Sequence, residues 1–292
     1  MNEMLTFVRV VETGSFAAAA QALGLSPSAT SKIISRIEDR LRVRLLARTT
    51  RRLALTPEGQ IYLDRCREIL GAIEAAESEI STARGRPSGH IRIKAGTVIG
   101  RHQLAPLLPE FLAENPEITI ELAITDRQID PVTENVDLVL RAGALTESTL
   151  HTQEIARGYR VLCASPAYLA RYGVPRVPED LFDHNCLALS HQTHLARWPF
   201  HGPDGVKSLK VSGNITVDHP DVLLDLALAG QGIVRLGNAL VAAPVAAGRL
   251  VALLADCHAS EPFPIWAVTP PGRFRVHRVR ALLEFLSARL GR

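Results

Sequence analysis

Residues 7–49 read FVRVVETGSFAAAAQALGLSPSATSKIISRIEDRLRVRLLART, and this stretch decides the fold of the N-terminal region. Apolar residues at helical spacing run up to Gly14 and again up to Gly24, which predicts two short helices that each end at a glycine. Ser26-Pro27 is typical of a helix start, because the serine caps the helix and proline at the first helical position loses no hydrogen bond. Three helices are therefore expected, with a tight turn between the second and the third.

The third predicted helix, residues 27–41, has two unlike faces. Its apolar stripe fits a domain core and consists of Ile33, Ile37 and Leu41, widened by Ile34. The opposite face is polar and carries Ser28, Ser31, Lys32, Ser35 and Asp39. A helix, a tight turn and a helix with such a free face form the helix-turn-helix pattern, whose second helix enters the major groove of DNA.

This polar face supplies side chains that suit DNA. We expect Lys32 and Arg36 to reach phosphates or guanine. Short hydroxyl side chains bond bases or phosphates at close range, and the helix offers three of them, Ser28, Thr30 and Ser31.

The basic charge of the chain is concentrated next to this helix. The net charge is only +3, but residues 28–56 carry two acidic side chains and eight basic ones, Lys32, Arg36, Arg40, Arg42, Arg44, Arg48, Arg51 and Arg52. A compact basic block near one end of a nearly neutral chain indicates a polyanionic partner. Residues 43–56 alternate weakly, which predicts a basic hairpin, or wing, beside the helix. An ordinary solvated charged hairpin remains the alternative.

A long helix is predicted to begin at Thr56-Pro57-Glu58, which repeats the pattern of cap, proline and early acid. Apolar residues then recur at alternating spacings of four and three, at Tyr62, Cys66, Ile69, Ile73, Ala76 and Ile80. Such a heptad seam favours a second helix as its partner, so we expect dimerisation. Packing of this helix on the C-terminal half of the same chain remains the alternative.

The remainder of the chain alternates strands and helices after a short linker at residues 86–89. Residues 91–95 and 118–124 alternate as strands around a helix at 104–114, which is a βαβ unit. This order predicts a parallel-type sheet with ligands at the carboxyl ends of its strands. Two long crossings divide the sheet into two lobes. The expected fold is α+β and multidomain, with a winged helix-turn-helix at 1–58, a linker and dimerisation helix at 59–88, and a two-lobed ligand-binding domain at 89–292. Residues 90–162 and 266–292 form one lobe, and residues 163–265 form the other.

Composition excludes several classes of protein. The 292 residues are 47% apolar and 22% charged, which is too apolar for a disordered chain. The richest apolar stretch, residues 240–255, is interrupted by proline, glycine and arginine, and the N-terminus lacks a secretory signal, so we expect a cytoplasmic protein without a membrane span. The cysteines lie far apart, at Cys66, Cys163, Cys186 and Cys257. This predicts reduced thiols rather than a zinc ribbon or a disulfide framework.

Catalytic and metal-binding motifs are not found in the sequence. Gly230-Gln231-Gly232 begins a dinucleotide-like pattern, but Arg235 stands where the third glycine belongs. We therefore expect neither an enzyme nor a cofactor. A group of potential metal ligands with no common spacing comprises His184, Cys186, His191, His194 and His201. Structural or surface histidines are expected there, with a metal-sensing role as the alternative. The competing class as a whole is an α/β ligand-binding protein or enzyme whose N-terminal helices only dimerise.

The stretch quoted at the outset, followed by LTPEGQIYLDRC at residues 55–66, resembles the LysR-type transcriptional regulators. The C-terminal half is similar to the effector domain of the same family in DLVLRAG at 137–143, ASPAYL at 164–169 and AGQGI at 229–233. The resemblance covers nearly the whole chain. It implies a winged helix-turn-helix, a linker helix and two lobes like those of periplasmic binding proteins, with a small effector between them. It also implies a homodimer or homotetramer on an interrupted inverted repeat of duplex DNA, with RNA polymerase as a further partner.

The family motif assigns DNA contacts to nine positions of this chain, Ser26, Pro27, Ser28, Thr30, Ser31, Lys32, Arg36, Arg48 and Arg51. Lys32 departs from the arginine of many members, and since lysine lacks the two-pronged guanidinium, a phosphate contact is expected there. Leu46 and Ala47 also replace the usual phenylalanine and acid of the wing. By the same resemblance the effector cleft is lined by Thr97, Val98, Thr125, Arg141, His201, Asp218 and Arg235. Arg141 or Arg235 suits a carboxylate, which makes a carboxylate one candidate for the effector. Structural salt bridges remain the alternative role for both arginines.

Overall fold

The computed structural model describes residues 2–48, 53–82, 86–127, 129, 131, 134, 136–144, 150–190 and 197–291, without the side chains of 48, 74, 75 and 77–82. Within these ranges, no helix has the length and apolar character needed to cross a membrane.

The N-terminal domain consists of three helices and a two-stranded wing: α1 (Asn2–Thr13), α2 (Phe16–Leu23), α3 (Pro27–Leu41), β1 (Leu46–Arg48) and β2 (Leu53–Leu55). Gly24 ends α2 in a left-handed conformation with φ of 64°, which a glycine adopts without strain. The Ser26 hydroxyl accepts a hydrogen bond from the Ala29 amide at 3.1 Å, so it caps α3. The strands β1 and β2 pair antiparallel. The predicted helix-turn-helix and its wing are therefore confirmed.

The core of this domain joins all three helices. Phe7, Ile34 and Ile37 are fully buried, and the Phe7 ring meets the Tyr62 ring edge-on at 5.2 Å. Leu41 is 41% exposed, so it does not complete the apolar stripe predicted for α3. The buried stripe is centred instead on Ile34 and Ile37.

The linker helix α4 (Pro57–Thr82) begins inside the N-terminal domain. Cys66 is 1% exposed and packs in the core of that domain together with Tyr62. The prediction that both residues line a dimer seam is therefore wrong for Cys66 and incomplete for Tyr62, because this chain's own core already covers them. Further along, a Cβ atom added to Gly71 would lie 3.8 Å from the carbonyl oxygen of Pro271. Part of α4 therefore packs on the C-terminal half, which was the alternative interpretation.

Lobe I is built on a five-stranded sheet of order β4-β3-β5-β14-β6. Its elements are β3 (Gly89–Ala95), α5 (Thr97–Ile99), a π-helical turn (Gly100–Leu104), α6 (Ala105–Glu114), β4 (Ile118–Ile124), β5 (Leu138–Ala142), β6 (His151–Gly158), β14 (Phe263–Thr269), a 3-10 turn (Arg273–Arg275) and α10 (His277–Leu290). Phe111 of α6 and Phe285 of α10 touch at 5.3 Å between ring centres, so both helices cover the same face of the sheet.

Lobe II holds two small sheets and a hairpin. Strands β12, β7 and β13 form one antiparallel sheet, β8 and β11 pair parallel, and β9 and β10 form the hairpin. Its elements are β7 (Arg160–Ala164), α7 (Pro166–Tyr172), a 3-10 turn (Pro178–Asp183), β8 (Ala188–Leu189), β9 (Arg197–Gly202), β10 (Gly205–Lys210), β11 (Thr216–Val217), α8 (Pro220–Leu228), β12 (Val234–Gly237), α9 (Asn238–Ala246) and β13 (Val251–Ala252).

Two expectations about the C-terminal half need correction. The lobe boundaries placed at 162/163 and 265/266 cut through β7 and β14, whereas β7 pairs wholly within lobe II and β14 wholly within lobe I. The chain therefore crosses between the lobes near Tyr159 and again near Glu261. The sheet of lobe I is also mixed rather than parallel, because β14 runs antiparallel to both of its neighbours.

Candidate functional site

The polar face of α3 is the first candidate site. Ser26, Pro27 and Ser28 are exposed at its start, Lys32 and Arg36 are exposed one and two turns later, and Ser31 is partly buried. Neither Lys32 nor Arg36 has an ion-pair partner in the described part of the chain. The helix thus presents small polar side chains flanked by two unpaired cations.

Thr30 does not belong to this face. It is 0% exposed, and its hydroxyl donates a hydrogen bond to the Ser26 carbonyl at 3.2 Å. The expectation of a DNA contact is therefore wrong for Thr30, because position 30 lies on the side of α3 that faces the domain core.

A buried carboxylate fixes α3 to the wing. Glu38 is 4% exposed, and one of its oxygens accepts hydrogen bonds from the amides of Leu45 and Leu46 at 2.9 and 3.2 Å. Its other oxygen accepts from Arg44 Nη1 at 2.7 Å. Burial alone would raise the pKa of Glu38, but the bonds from Arg44 and the two amides outweigh it and hold the pKa below its ordinary value. This role was not predicted, although an acidic residue within the basic block of residues 28–56 is a usable signal for it.

The first strand of the wing begins at the residues that donate to Glu38. Leu46 faces Leu55 and Arg48 faces Leu53 across the β1–β2 pair. The predicted contacts of the Arg48 side chain and of Arg51 fall outside the described residues. The pairing of β1 with β2 and the hydrogen bonds to Glu38 therefore hold the wing in place.

The second candidate site is a cavity of about 470 Å³ between the two lobes. Four of the residues predicted for an effector site line it, and these are Val98, Thr125, Arg141 and Asp218. The remaining wall comes from the ends of β3, β5 and β12, from the start of α9 and from both crossings. A cavity of this size suits a small organic molecule.

Thr97 organises the lobe I edge of the cavity. Its amide and its hydroxyl donate to the two carboxylate oxygens of Asp126, at 2.8 and 2.6 Å, and Asp126 lines the cavity. The helix then passes through the π-helical turn at residues 100–104, where a Cβ on Gly100 would lie 2.2 Å from Ile124 Cδ1. A larger residue there would have to displace the Ile124 side chain, which is 44% exposed.

The cavity wall carries an excess of basic side chains, of which sequence analysis found one. Beside the predicted Arg141 it includes Lys94, Arg127 and Arg160, against the acids Asp126 and Asp218. Lys94 is paired with Glu134, which holds the pKa of that carboxyl below its ordinary value. Of the missed residues, Lys94 has a recognisable signal, since it lies near the carboxyl end of a predicted strand, where ligands are expected.

Two residues predicted for the effector site lie elsewhere. His201 is exposed on β9, and neither it nor Arg235 lines the cavity. Arg235 Nε instead donates to His258 Nε2 at 2.9 Å. The prediction is therefore wrong for both: His201 lies on the β9–β10 hairpin, and the Arg235 guanidinium is directed to His258.

A polar bridge connects the lobes at one side of the cavity. His102, in the π-helical turn of lobe I, lies 2.7 Å from Asp221 Oδ1 in the first turn of α8. His219 caps α8 and lies 3.9 Å from Asp126. These contacts span the two lobes, so any change in their separation must break or remake them.

The histidine-rich segment around residue 190 brings no metal ligands together in the described residues. His184 bonds to the Tyr168 hydroxyl at 3.2 Å, and Cys186 is fully buried. His191 and His194 lie outside the described residues. No group of three or more suitable ligands occurs in the part of the chain that the structure describes.

Comparison with known proteins identifies both regions. Residues 1–60 match the family model described as bacterial regulatory helix-turn-helix protein, lysR family, and residues 84–291 match the LysR substrate binding domain. The HTH-type transcriptional regulator CrgA of Neisseria meningitidis is 36% identical over 290 residues, which are 99% of this chain and 97% of the relative. DmlR of Escherichia coli is 33% identical over 98% of this chain and 93% of its own length.

A solved structure agrees with these sequence matches. The structure of CrgA, a LysR-type transcriptional regulator from Neisseria meningitidis, matches with a TM-score of 0.65, covering 100% of this chain and 99% of that one. The relatives are named as transcriptional regulators. The chain belongs to the LysR family of transcriptional regulators, with an N-terminal helix-turn-helix DNA-binding domain and a C-terminal effector-binding domain.

Proposed function

We propose that this regulator binds an interrupted inverted repeat in duplex DNA as a homodimer or homotetramer, with α3 of each protomer in the major groove. The observation that carries this proposal is the exposed face of α3, where Ser28, Lys32 and Arg36 have no competing ion pairs in the described chain. Glu38 supports it by holding the wing against the same helix. Lys32 contacts a phosphate, since an ammonium is a point charge.

The proposed dimer uses the outer part of α4. Ile69 is 43% exposed and Ala76 is exposed one heptad later, while Ile73 is partly buried. These residues follow the region that the N-terminal core covers, so they remain available to a second protomer. The side chain of Ile80 is not described. Replacement of Ile69 and Ile73 by Asp should abolish dimerisation and operator binding together, as sedimentation and DNA titration would measure.

The proposed effector is a small carboxylate bound in the cavity between the lobes. Arg141 and Arg127 form no ion pair with any carboxylate in the described residues, and guanidinium groups bind carboxylates through two parallel hydrogen bonds. Gln103 adds a buried side-chain oxygen without a hydrogen-bond partner in the described residues. The cavity therefore combines unpaired positive charge with an unused polar group.

The proposed regulation follows from the position of the cavity. An effector that bridges the lobes and binds the closed arrangement more tightly than the open one shifts the equilibrium toward closure. The contact between His102 and Asp221 then changes together with the separation of the lobes. The lobes then alter the angle or spacing of the paired α4 helices and hence of the DNA-binding domains. RNA polymerase is the expected partner at the promoter, and the cytoplasm the expected location.

The DNA proposal is tested by titrating promoter fragments from beside the gene at several salt concentrations. Lys32→Ala and Arg36→Ala should each weaken binding on all sequences and lower the slope of log K against log salt by up to about one. Arg249→Ala is the matched control, because Arg249 is exposed in lobe II, far from α3 in sequence. Unchanged slopes in the α3 variants would remove these residues from the interface.

A further inference from the structure

Two arginines lie side by side on one face of the lobe II sheet. Arg160 opens β7 and pairs with Gly237 of β12, while Arg235 of β12 pairs with Leu162. Residues two positions apart on a strand share a face, so Arg160, Leu162 and Arg235 all project to the same side. Side chains in such a diagonal arrangement across two strands lie within reach of one another when they are long.

Neither guanidinium is paired with a carboxylate at ion-pair distance within the described ranges. Arg160 lies over the Phe263 ring, 5.2 Å from its centre. Arg235 uses its Nε to donate to His258 Nε2. His258 accepts that bond and is therefore neutral, as burial and the charges of Arg235 and His201 lower its pKa to about 4. The terminal nitrogens of Arg235 remain without an anionic partner.

Burial makes the close approach of the two guanidinium groups unfavourable unless an anion binds between them. Burial lowers the pKa of Arg160, and burial together with repulsion from Arg160 lowers that of Arg235 to about 10. Glu261 attracts Arg235 only from beyond ion-pair distance. Charges withdrawn from water are costly when they lack a partner, and a two-pronged oxyanion is the partner that guanidinium groups bind best.

The pair also lies at the joint between the lobes. Arg160 follows the first crossing, and its amide donates to Ser260 Oγ at 2.7 Å beside the second crossing. Tyr159 and Asn238 are joined by two hydrogen bonds, at 2.8 and 3.1 Å, which hold β7 to the end of β12. Arg160 lines the cavity, whereas Arg235 does not.

We propose that Arg160 and Arg235 together form a binding site for a small oxyanion, a carboxylate or a phosphate, at the joint between the two lobes. Arg160 lies in the wall of the cavity and Arg235 does not, so this site adjoins the proposed effector site without using Arg127 or Arg141, and it does not depend on the proposed DNA contacts. The anion neutralises the two guanidinium groups and connects the first strand of lobe II to the region of the crossings. It therefore stiffens the joint about which the lobes move.

The test uses the full chain with sodium phosphate and sodium acetate as probes, each compared with sodium chloride at equal ionic strength. Thermal unfolding and titration calorimetry of the wild type should show a saturable response to phosphate, to acetate or to both, and the responding probe identifies the source of the oxyanion. In Arg160→Met and Arg235→Met the affinity should fall at least tenfold, while Arg249→Met should behave as the wild type. Arg235→Lys should bind more weakly than the wild type but better than Arg235→Met, because it keeps the charge and loses the planar fork.

Equal responses of all variants, or no saturable response of the wild type, would overturn the proposal. A second measurement needs no variant. Histidine ring signals of the wild type in a heteronuclear NMR titration should shift for His258, which bonds Arg235, and not for exposed His90 in lobe I. Equal shifts of both signals, or none at His258 at saturating probe, would also contradict the site.

Discussion

Replacement of Glu38 by glutamine tests how the wing is held to the recognition helix. The carboxylate accepts two backbone amide bonds, from Leu45 and Leu46, and one from the exposed Arg44 side chain. Glutamine keeps one acceptor oxygen for the amides but turns two charge-assisted bonds into neutral ones, a loss of roughly 1 kcal/mol each. The bond from Arg44 adds little, because an ion pair with an exposed partner contributes at most about 1 kcal/mol. We expect Glu38→Gln to destabilise the wing by about 2 kcal/mol.

Hydrogen exchange of the full chain, followed by mass spectrometry, measures this loss where it arises. A change of about 2 kcal/mol in opening free energy corresponds to roughly 30-fold faster exchange of the amides of Leu45 and Leu46 at pH 7. Asp39→Asn is the matched control, since Asp39 is exposed and adjacent on the same helix. Equal exchange in wild type and Glu38→Gln would refute the assignment of Glu38 as the anchor of the wing.

The same comparison has a defined pH dependence. The folded domain lowers the pKa of Glu38 below its ordinary value of 4.5, so its stabilising contribution is fully present above that pH. As the pH falls through the lowered pKa of the folded state, the carboxylate is protonated and the contribution is lost. The difference between wild type and Glu38→Gln should therefore be constant near neutrality and shrink in acid. A difference that grows in acid would contradict the sign of the shift.

Two further substitutions test the lobes. Gly232→Ala places a Cβ 2.3 Å from the backbone carbonyl oxygen of Asn185, which cannot rotate aside as a side chain can, and should cost about 1–3 kcal/mol of stability in thermal unfolding. Gly71→Ala, whose nearest neighbour lies at 3.8 Å, should cost none, and equal melting temperatures would refute the packing. Asp221→Ala leaves His102 without its partner across the cavity and should lower the free energy of unfolding by about 1–3 kcal/mol, as urea unfolding followed by fluorescence would measure. The control Asp225→Ala changes an exposed side chain and should have no effect, and an equal loss in both variants would argue against an interlobe contact.

Predictions from caps and short-range periodicity agree closely with the structure. Ser26 caps α3 as expected, and α4 begins at Pro57 as expected, where the Thr56 hydroxyl accepts a hydrogen bond from the Gly59 amide. Signals of this kind act between residues three or four apart. Such local signals therefore predict a helix correctly whatever the tertiary structure around it.

Predictions that concerned burial were less successful. Thr30 and Cys66 have the type and spacing of surface and seam residues, yet both lie in the N-terminal core. A helical pattern states which residues share a face, but the neighbouring elements decide how wide the covered face is. Here α1 and the wing cover more of α3 and α4 than their own sequences reveal.

The amino-acid sequence by itself determined the family, the order of the helices, the helix-turn-helix with its wing and the division into a DNA-binding and an effector-binding half. Only the tertiary structure decided that β14 returns antiparallel to lobe I, that Lys94 and Arg160 face the cavity, and that Arg235 turns away from it. The physical reason is the separation along the chain of the residues that interact. Caps and hydrophobic periods are properties of a few consecutive residues, whereas a strand's partners and the side that it shows to a cavity are set by contacts between residues a hundred or more positions apart.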